Sequence, residues 1–240
     1  MEGPVALTSQ ALELVPERWP GSRPRRSRMN PLSPTTLFHV KLDPETLARD
    51  LSPSQQESLR GFEDLLKGPG AVRGVVSKGD LARLWPRHIL DSLRAVRCLE
   101  PGDRTIVDVG SGGGLPGVPV AIARPDASLL LLEPRESRVA FLEMAVSSLG
   151  LPNVAVEHGR AEHASIRADA ALVRAVAHPH ATWELCSPLL RPGGRVLYFA
   201  GARFGDNELL GLRRAGVAAK NCDASLFPGY GPIVIMQTDS

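Results

Sequence analysis

From residue 43 onward the spacing of apolar residues first follows a helical period and then breaks into short apolar runs separated by helical segments. Leu47, Leu51, Leu59, Phe62, Leu65 and Leu66 recur at mixed spacings of three and four, a helical pattern. Ser52-Pro53 reads as an N-cap followed by a first-turn proline, so the segment predicts two helices, the second broken at Gly68-Pro69-Gly70. A further helix is expected from Trp85 to Leu99. Ile89, Leu90, Leu93 and Val96 share its apolar face, and Arg87, Arg94 and Arg97 form one flank around Asp91, most simply a salt-bridged surface.

After Pro101 the short apolar runs begin. Thr105–Val109, Leu129–Leu132, Val154–Glu157, Ala170–Val173 and Arg195–Phe199 read as strands, each separated from the next by a helical or loop segment. Strands of this kind, joined by crossover helices, predict a parallel sheet covered on both faces. A last strand, Pro232–Met236, has no helix after it, which predicts an antiparallel hairpin at the end. The expected organisation is a Pro- and Arg-rich leader over residues 1–40, a small helical cap over 41–100 and an α/β domain over 101–240.

Charge refines this picture. The net charge is only +2, with 28 basic and 26 acidic residues, which by itself does not point to nucleic acid. The distribution is uneven, however. Between Arg73 and Arg97, Arg73, Lys78, Arg83, Arg87, Arg94 and Arg97 face only Asp80 and Asp91, and the leader carries five arginines between Arg18 and Arg28 with no acid among them. Arginine far outnumbers lysine, as a G- and C-rich genome or a need for bidentate phosphate contacts would produce. Cys98, Cys186 and Cys222 are odd in number and widely spaced, which suits free thiols in a reducing, cytoplasmic setting. No apolar run approaches the length of a bilayer span.

The candidate chemistry lies at Val107-Asp108-Val109-Gly110-Ser111-Gly112-Gly113-Gly114-Leu115-Pro116-Gly117, which follows a predicted strand and opens a helix. Two cofactors fit such a loop. Gly112, Gly114 and Gly117 satisfy the G-x-G-x-x-G dinucleotide spacing, in which a pyrophosphate sits on a helix N-terminus. Asp108 instead makes the pattern D-x-G-x-G-x-G of S-adenosylmethionine methyltransferases, whose cofactor carries a cationic sulfonium and an amino-acid moiety and no phosphate. Glu133, closing the next strand, suits ribose hydroxyls in either case. Arg160-Ala161-Glu162 after the third strand and Arg191-Pro192-Gly193-Gly194, a tight turn before the fifth, favour the methyl donor.

These residues resemble one family, the bacterial 16S ribosomal RNA guanine-N7 methyltransferases, also called the glucose-inhibited division protein B family. The resemblance is carried by Arg87-His88-Ile89-Leu90-Asp91-Ser92-Leu93, by Asp108 to Pro119, by Arg138-Val139-Ala140-Phe141-Leu142, by His158 to Glu162 and by Arg174-Ala175-Val176-Ala177. It implies a class I S-adenosylmethionine-dependent methyltransferase fold, Rossmann-like and mostly parallel with an antiparallel last strand. The implied reaction is methyl transfer to N7 of a guanine in 16S rRNA, as naked RNA or in a small ribosomal subunit particle, by a cytoplasmic protein, expected to be a monomer.

The family also implies roles for individual residues. Gly110, Ser111, Gly112, Gly114 and Leu115 would line the cofactor, with Asp108 supporting the loop, Glu133 on the ribose, and Ala161 and Glu162 near the adenine. Arg174 would stand near both cofactor and target, although a strand-end pairing with Asp169 or Glu184 is the simpler reading. His88 and Asp91 would help build the target side. Two family features are missing: an Asn-rich segment before Arg87, replaced here by Gly68 to Trp85, and a Lys-Gly after the fifth strand, where Ala200-Gly201 stands. Both losses fall on the RNA side, which keeps open a diverged methyltransferase of another substrate or a weakly active cofactor- or RNA-binding module.

Overall fold

The computed structural model describes residues 44–77, 79–201, 203–222 and 230–238, all within the compact unit His39–Ser240. The expected leader, residues 1–40, lies outside the described residues. Helix α1 spans Pro44–Arg49 and α2 Pro53–Leu65. The predicted cap at Ser52 is present: its Oγ accepts from Gln55 N at 3.3 Å, and Ser52 N donates back to Gln55 Oε1 at 2.9 Å.

Two helical expectations need correction. The chain does not break at Gly68-Pro69-Gly70 but continues as a wide, π-type turn over Leu66–Gly70. Proline is tolerated where the missing N–H is not required by a regular i to i−4 ladder. The helix from Trp85 is built from a wide turn (Trp85–Ile89), a single α turn (α3, Leu90–Leu93) and a tight 3-10 turn (Arg94–Arg97). The resulting change of pitch turns Arg94 inward. Its side chain is 1% exposed, whereas Arg87 and Arg97 remain exposed.

Seven strands form one sheet in the order β3-β2-β1-β4-β5-β7-β6. They are β1 Thr105–Val109, β2 Ser128–Glu133, β3 Val154–His158, β4 Ala168–Arg174, β5 Leu190–Phe199, β6 Val217–Asn221 and β7 Ile233–Thr238. The first five pair in parallel, and β7 runs antiparallel to both β5 and β6, as the sequence predicts. The Arg191–Gly194 stretch, expected as a turn, lies within β5 but leaves the ladder: pairing with β4 passes from Ala168–Leu190 to Ala170–Arg195. Gly193 has φ +78, so a tight excursion does feed the paired part of β5.

Alternation along the strands builds two cores. Ile106, Leu129, Leu131, Leu172 and Leu197 face Leu59 and Phe62 of α2, α4 (Gly117–Ala123) and α5 (Glu136–Leu149). Val107, Val109, Leu132, Val173 and Val196 face Cys186 of α6 (Pro179–Cys186) and Leu212 of α7 (Asp206–Arg214). The helices before β1 therefore complete the apolar cover of one sheet face.

The expectation of three free thiols is also overturned. Cys98 and Cys222 form a disulfide with a Cα–Cα distance of 5.8 Å across a sequence separation of 124. Spacing along the chain cannot reveal a pair that only folding brings together. Cys186 is free and buried, and burial pushes its thiol up to about 12, so it is inert.

Candidate functional site

In an open parallel sheet a crevice forms beyond the strand C-termini where successive crossovers leave in opposite directions. Here that point lies between β1 and β4, which pair directly, and the glycine loop leaves the end of β1. A cavity of about 450 Å³ opens there. Gly110, Ser111, Gly112 and Gly113 line it from the loop, Glu133 from the end of β2 and Arg174 from the end of β4. Val75, Val76, Ser77, Asp80 and His88 line it from the segment before β1.

The loop is held by its own strand ends. Gly112 has φ +59, a left-handed conformation that favours glycine. Its N–H donates to Glu133 Oε2 at 2.8 Å, and Arg135 N donates to Glu133 Oε1 at 3.0 Å. Each carboxylate oxygen keeps a further lone-pair direction, so Glu133 can accept ligand hydroxyls while fixing the loop. Asp108 faces the other way. As a residue of the α4-facing side of β1 it accepts from Gly117 N at 2.9 Å, and a Cβ at Gly117 would stand 2.5 Å from the same carboxylate oxygen. Burial pushes the Asp108 carboxyl up to about 7, against the hydrogen bonds that favour its charge.

Arg174 is half-buried and held by three acceptors. Its Nη2 lies 3.1 Å from His88 Nδ1, 3.3 Å from Asp91 Oδ2 and 3.3 Å from the carbonyl oxygen of Arg87. Asp91 Oδ1 in turn accepts from Arg94 Nη1 at 2.5 Å, and Arg94 Nη2 donates to Gly231 O at 2.8 Å. Arg174 Nη1 is buried and makes no hydrogen bond. Ala175, immediately after it, adopts φ +55, a strained backbone for a residue with a Cβ, at the point where the chain turns along the cavity.

The model of the family described as rRNA small subunit methyltransferase G matches residues 55–221. The chain belongs to that family. Among curated methyltransferase G relatives, the Mycobacterium leprae protein is 47% identical over 145 residues, covering 58% of this chain and 58% of its own length. The Mycobacterium marinum protein is 44% identical over 177 residues, covering 72% and 76%. The Thermobifida fusca protein is 41% identical over 162 residues, covering 67% and 68%. The first of these matches thus spans under two thirds of the relative. Among solved structures, an O-methyltransferase family protein from Burkholderia thailandensis superposes with TM-score 0.47 at 15% identity, covering 61% of this chain and 55% of that one.

Of the residues singled out by resemblance to the methyltransferase G family, Gly110, Ser111, Gly112, Leu115, Glu133, Arg174 and His88 converge on the cavity. Gly114 lies behind the loop, where a Cβ would meet Val118, Leu142 and Phe62. Asp108 is turned toward α4. Asp91 stands one residue back from the cavity, behind Arg174. Ala161 and Glu162 form a tight turn after β3, with Ala161 packed in the α6-side core and Glu162 exposed, and neither lines the cavity. Arg174 pairs with Asp91 and not with Asp169, which instead accepts from the Arg104 and Thr105 amides at 2.8 Å and pairs with Arg191.

Sequence reasoning missed several lining residues. Asp80 and Val75–Ser77 belong to the segment that replaces the family's Asn-rich stretch, and Arg135 and Arg138 follow Glu133 at the start of α5. The two arginines carried a usable signal, because the first turn of a helix after a strand-end acid sits beside whatever that acid binds. Ala200 is buried, its N–H donates to Pro232 O at 3.0 Å, and its methyl side chain supplies no charge at the usual lysine position.

Proposed function

We propose that this chain transfers a methyl group from S-adenosylmethionine to N7 of a guanine in small-subunit rRNA, as a cytoplasmic protein acting as a monomer. The observation that carries this reading is the convergence, at the switch point of a methyltransferase G family chain, of a left-handed glycine loop, a buried ribose-type acceptor and an arginine with an unsatisfied nitrogen.

The residues present fit that cofactor. Glu133 suits paired ribose hydroxyls, the loop amides and small side chains admit close approach, and Arg174 Nη1 lacks the acceptor that a carboxylate would provide. When bound, S-adenosylmethionine supplies an electrophilic methyl group on a sulfonium. Guanine N7 already offers a free lone pair at neutral pH, so no strong general base is required. The side chains agree: His88 is engaged with Arg174, Asp91 with two arginines, and Asp108 is turned away from the cavity. The protein's part is to orient the reactants and exclude water. Arg135 and Arg138 at the rim, with Arg73 and Arg87 on the helical side, suit phosphate contacts.

Deletion of the gene followed by mapping of 7-methylguanosine in small-subunit rRNA tests this. The modification should vanish, return with the wild-type gene, and fail to return with Gly112→Asp, which puts a charged side chain on a left-handed backbone (φ +59) at the cavity wall, its Cβ 3.6 Å from Arg138 Nη1. Persistence of the modification in the deletion would overturn the proposal. Binding of the methyl donor with no change at any rRNA guanine would favour a different substrate, the reading motivated by Ala200.

A further inference from the structure

We propose that His88 is a positioning residue for Arg174: its neutral ring accepts at Nδ1 from Arg174 Nη2 while Asp91 holds the same nitrogen, leaving Nη1 for an anionic group of the ligand. This rests on the cofactor reading above.

The geometry assigns the tautomer. Nδ1 lies 3.1 Å from a guanidinium nitrogen, which is always a donor, so Nδ1 must be the unprotonated acceptor and Nε2 must carry the hydrogen. Nε2 is buried 3.4 Å from Asp80 Oδ1, near enough for attraction but without a formed hydrogen bond. Asp80 is itself engaged, accepting from Ser77 Oγ at 2.6 Å. A second proton on His88 would have to sit on Nδ1, facing the Arg174 donor, and would place two cations in contact.

The charged groups around the ring act in both directions. Arg174 from β4 and Arg87 from the ring's own helix oppose protonation, and Asp80 from the turn before that helix favours it. Asp91 acts on the far side, through Arg174. Burial, and then the Arg174 charge, hold the imidazole below its ordinary 6.5. His88 is therefore neutral at physiological pH, and Arg174 keeps its acceptor there. As pH falls through the His88 titration the acceptor is lost, and ligand affinity should fall with it, by up to about tenfold for each pH unit below that midpoint.

Two measurements on the full chain test this. Nitrogen-15 NMR of histidine-labelled protein at pH 7.5, without ligand, should show His88 Nδ1 unprotonated and Nε2 protonated. A protonated Nδ1 would overturn the inference whatever the cofactor is. Calorimetry with S-adenosylhomocysteine, carried from pH 8 down through the His88 titration that the same NMR signals locate when followed with pH, should show wild-type affinity falling on the acid side. A wild-type affinity flat through that titration would overturn the proposal. His88→Asn, whose side-chain oxygen can replace Nδ1 as acceptor without titrating, should bind at near wild-type affinity and lose that acid limb. His88→Ala should bind about tenfold or more weakly at pH 7.5, in line with losing one charge-assisted hydrogen bond. An acid limb that persists in His88→Asn, or His88→Ala binding like wild type, would overturn the proposal. Absence of binding by the wild type, with the expected NMR pattern, would locate the failure in the cofactor reading and remove the ligand part of this one.

Discussion

Asp108 and Ala175 show how single residues carry strain next to the cavity. Between pH about 4 and 7 the folded protein keeps the Asp108 proton that the unfolded chain, with its ordinary value of 3.8, has already released. Folding stability should therefore decline as pH rises through that window and level off above it. Asp108→Asn keeps an acceptor for Gly117 N and cannot ionise, so its urea midpoint should lack this decline. Finding the same decline in the variant would show that other groups cause it. Ala175, at φ +55, is strained because of its Cβ. Glycine there should leave stability within about 1 kcal/mol of wild type, since the relief of strain is offset by a more flexible unfolded chain. Ala175→Val, β-branched, should be destabilised by about 1–2 kcal/mol relative to the glycine variant. Equal unfolding midpoints for the two variants would contradict this account.

At the scale of elements, the turn of changing pitch from Trp85 to Arg97 does most to shape the site. A regular helix would have left Arg94 on the solvated flank that its spacing suggests. The actual winding buries it and makes Asp91 its counter-charge, between Arg94 and Arg174. Asp91→Ala should therefore cost about 1.5–3 kcal/mol, the loss of a charge-assisted hydrogen bond to the buried Arg94 guanidinium. Arg97→Ala, on the exposed part of the same segment, should cost less than about 0.5 kcal/mol. Thermal or urea unfolding of the two variants compares them directly. The sequence showed the residues of this segment, including the Asp91–Arg94 spacing, but not their facing, because the wide and tight turns depend on packing against α1 and α4. The Gly68–Trp85 stretch is the converse case. It carried no motif, yet tertiary packing sets Val75, Val76, Ser77 and Asp80 along the cavity.

At the scale of the whole molecule, the Cys98–Cys222 bond ties the end of the helical region to the chain just after β6, across 124 residues. Thiol titration of the unfolded, unreduced protein should count one free cysteine, Cys186, in place of three. Cys98→Ser should lower stability of the oxidised protein by about 2–4 kcal/mol, mainly by freeing the unfolded chain. A count of three thiols would mean that the bond does not form in the isolated protein. Among the described residues no helix is long and apolar enough to cross a membrane.

The sequence alone determined six of the seven strands, β6 (Val217–Asn221) being the one it did not show, the parallel sheet with its antiparallel end, and the glycine loop with Glu133 and Arg174. These are local properties: side-chain period, the need for glycine where φ is positive, and motif residues fixed to strand ends. Tertiary structure decided what crosses the chain. It turned Asp108 toward α4, set Arg174 between His88 and Asp91, buried Arg94, brought the segment before β1 over the cavity and joined two distant cysteines. Each of these depends on the distance between residues far apart in sequence, which burial and packing set and residue type alone does not encode.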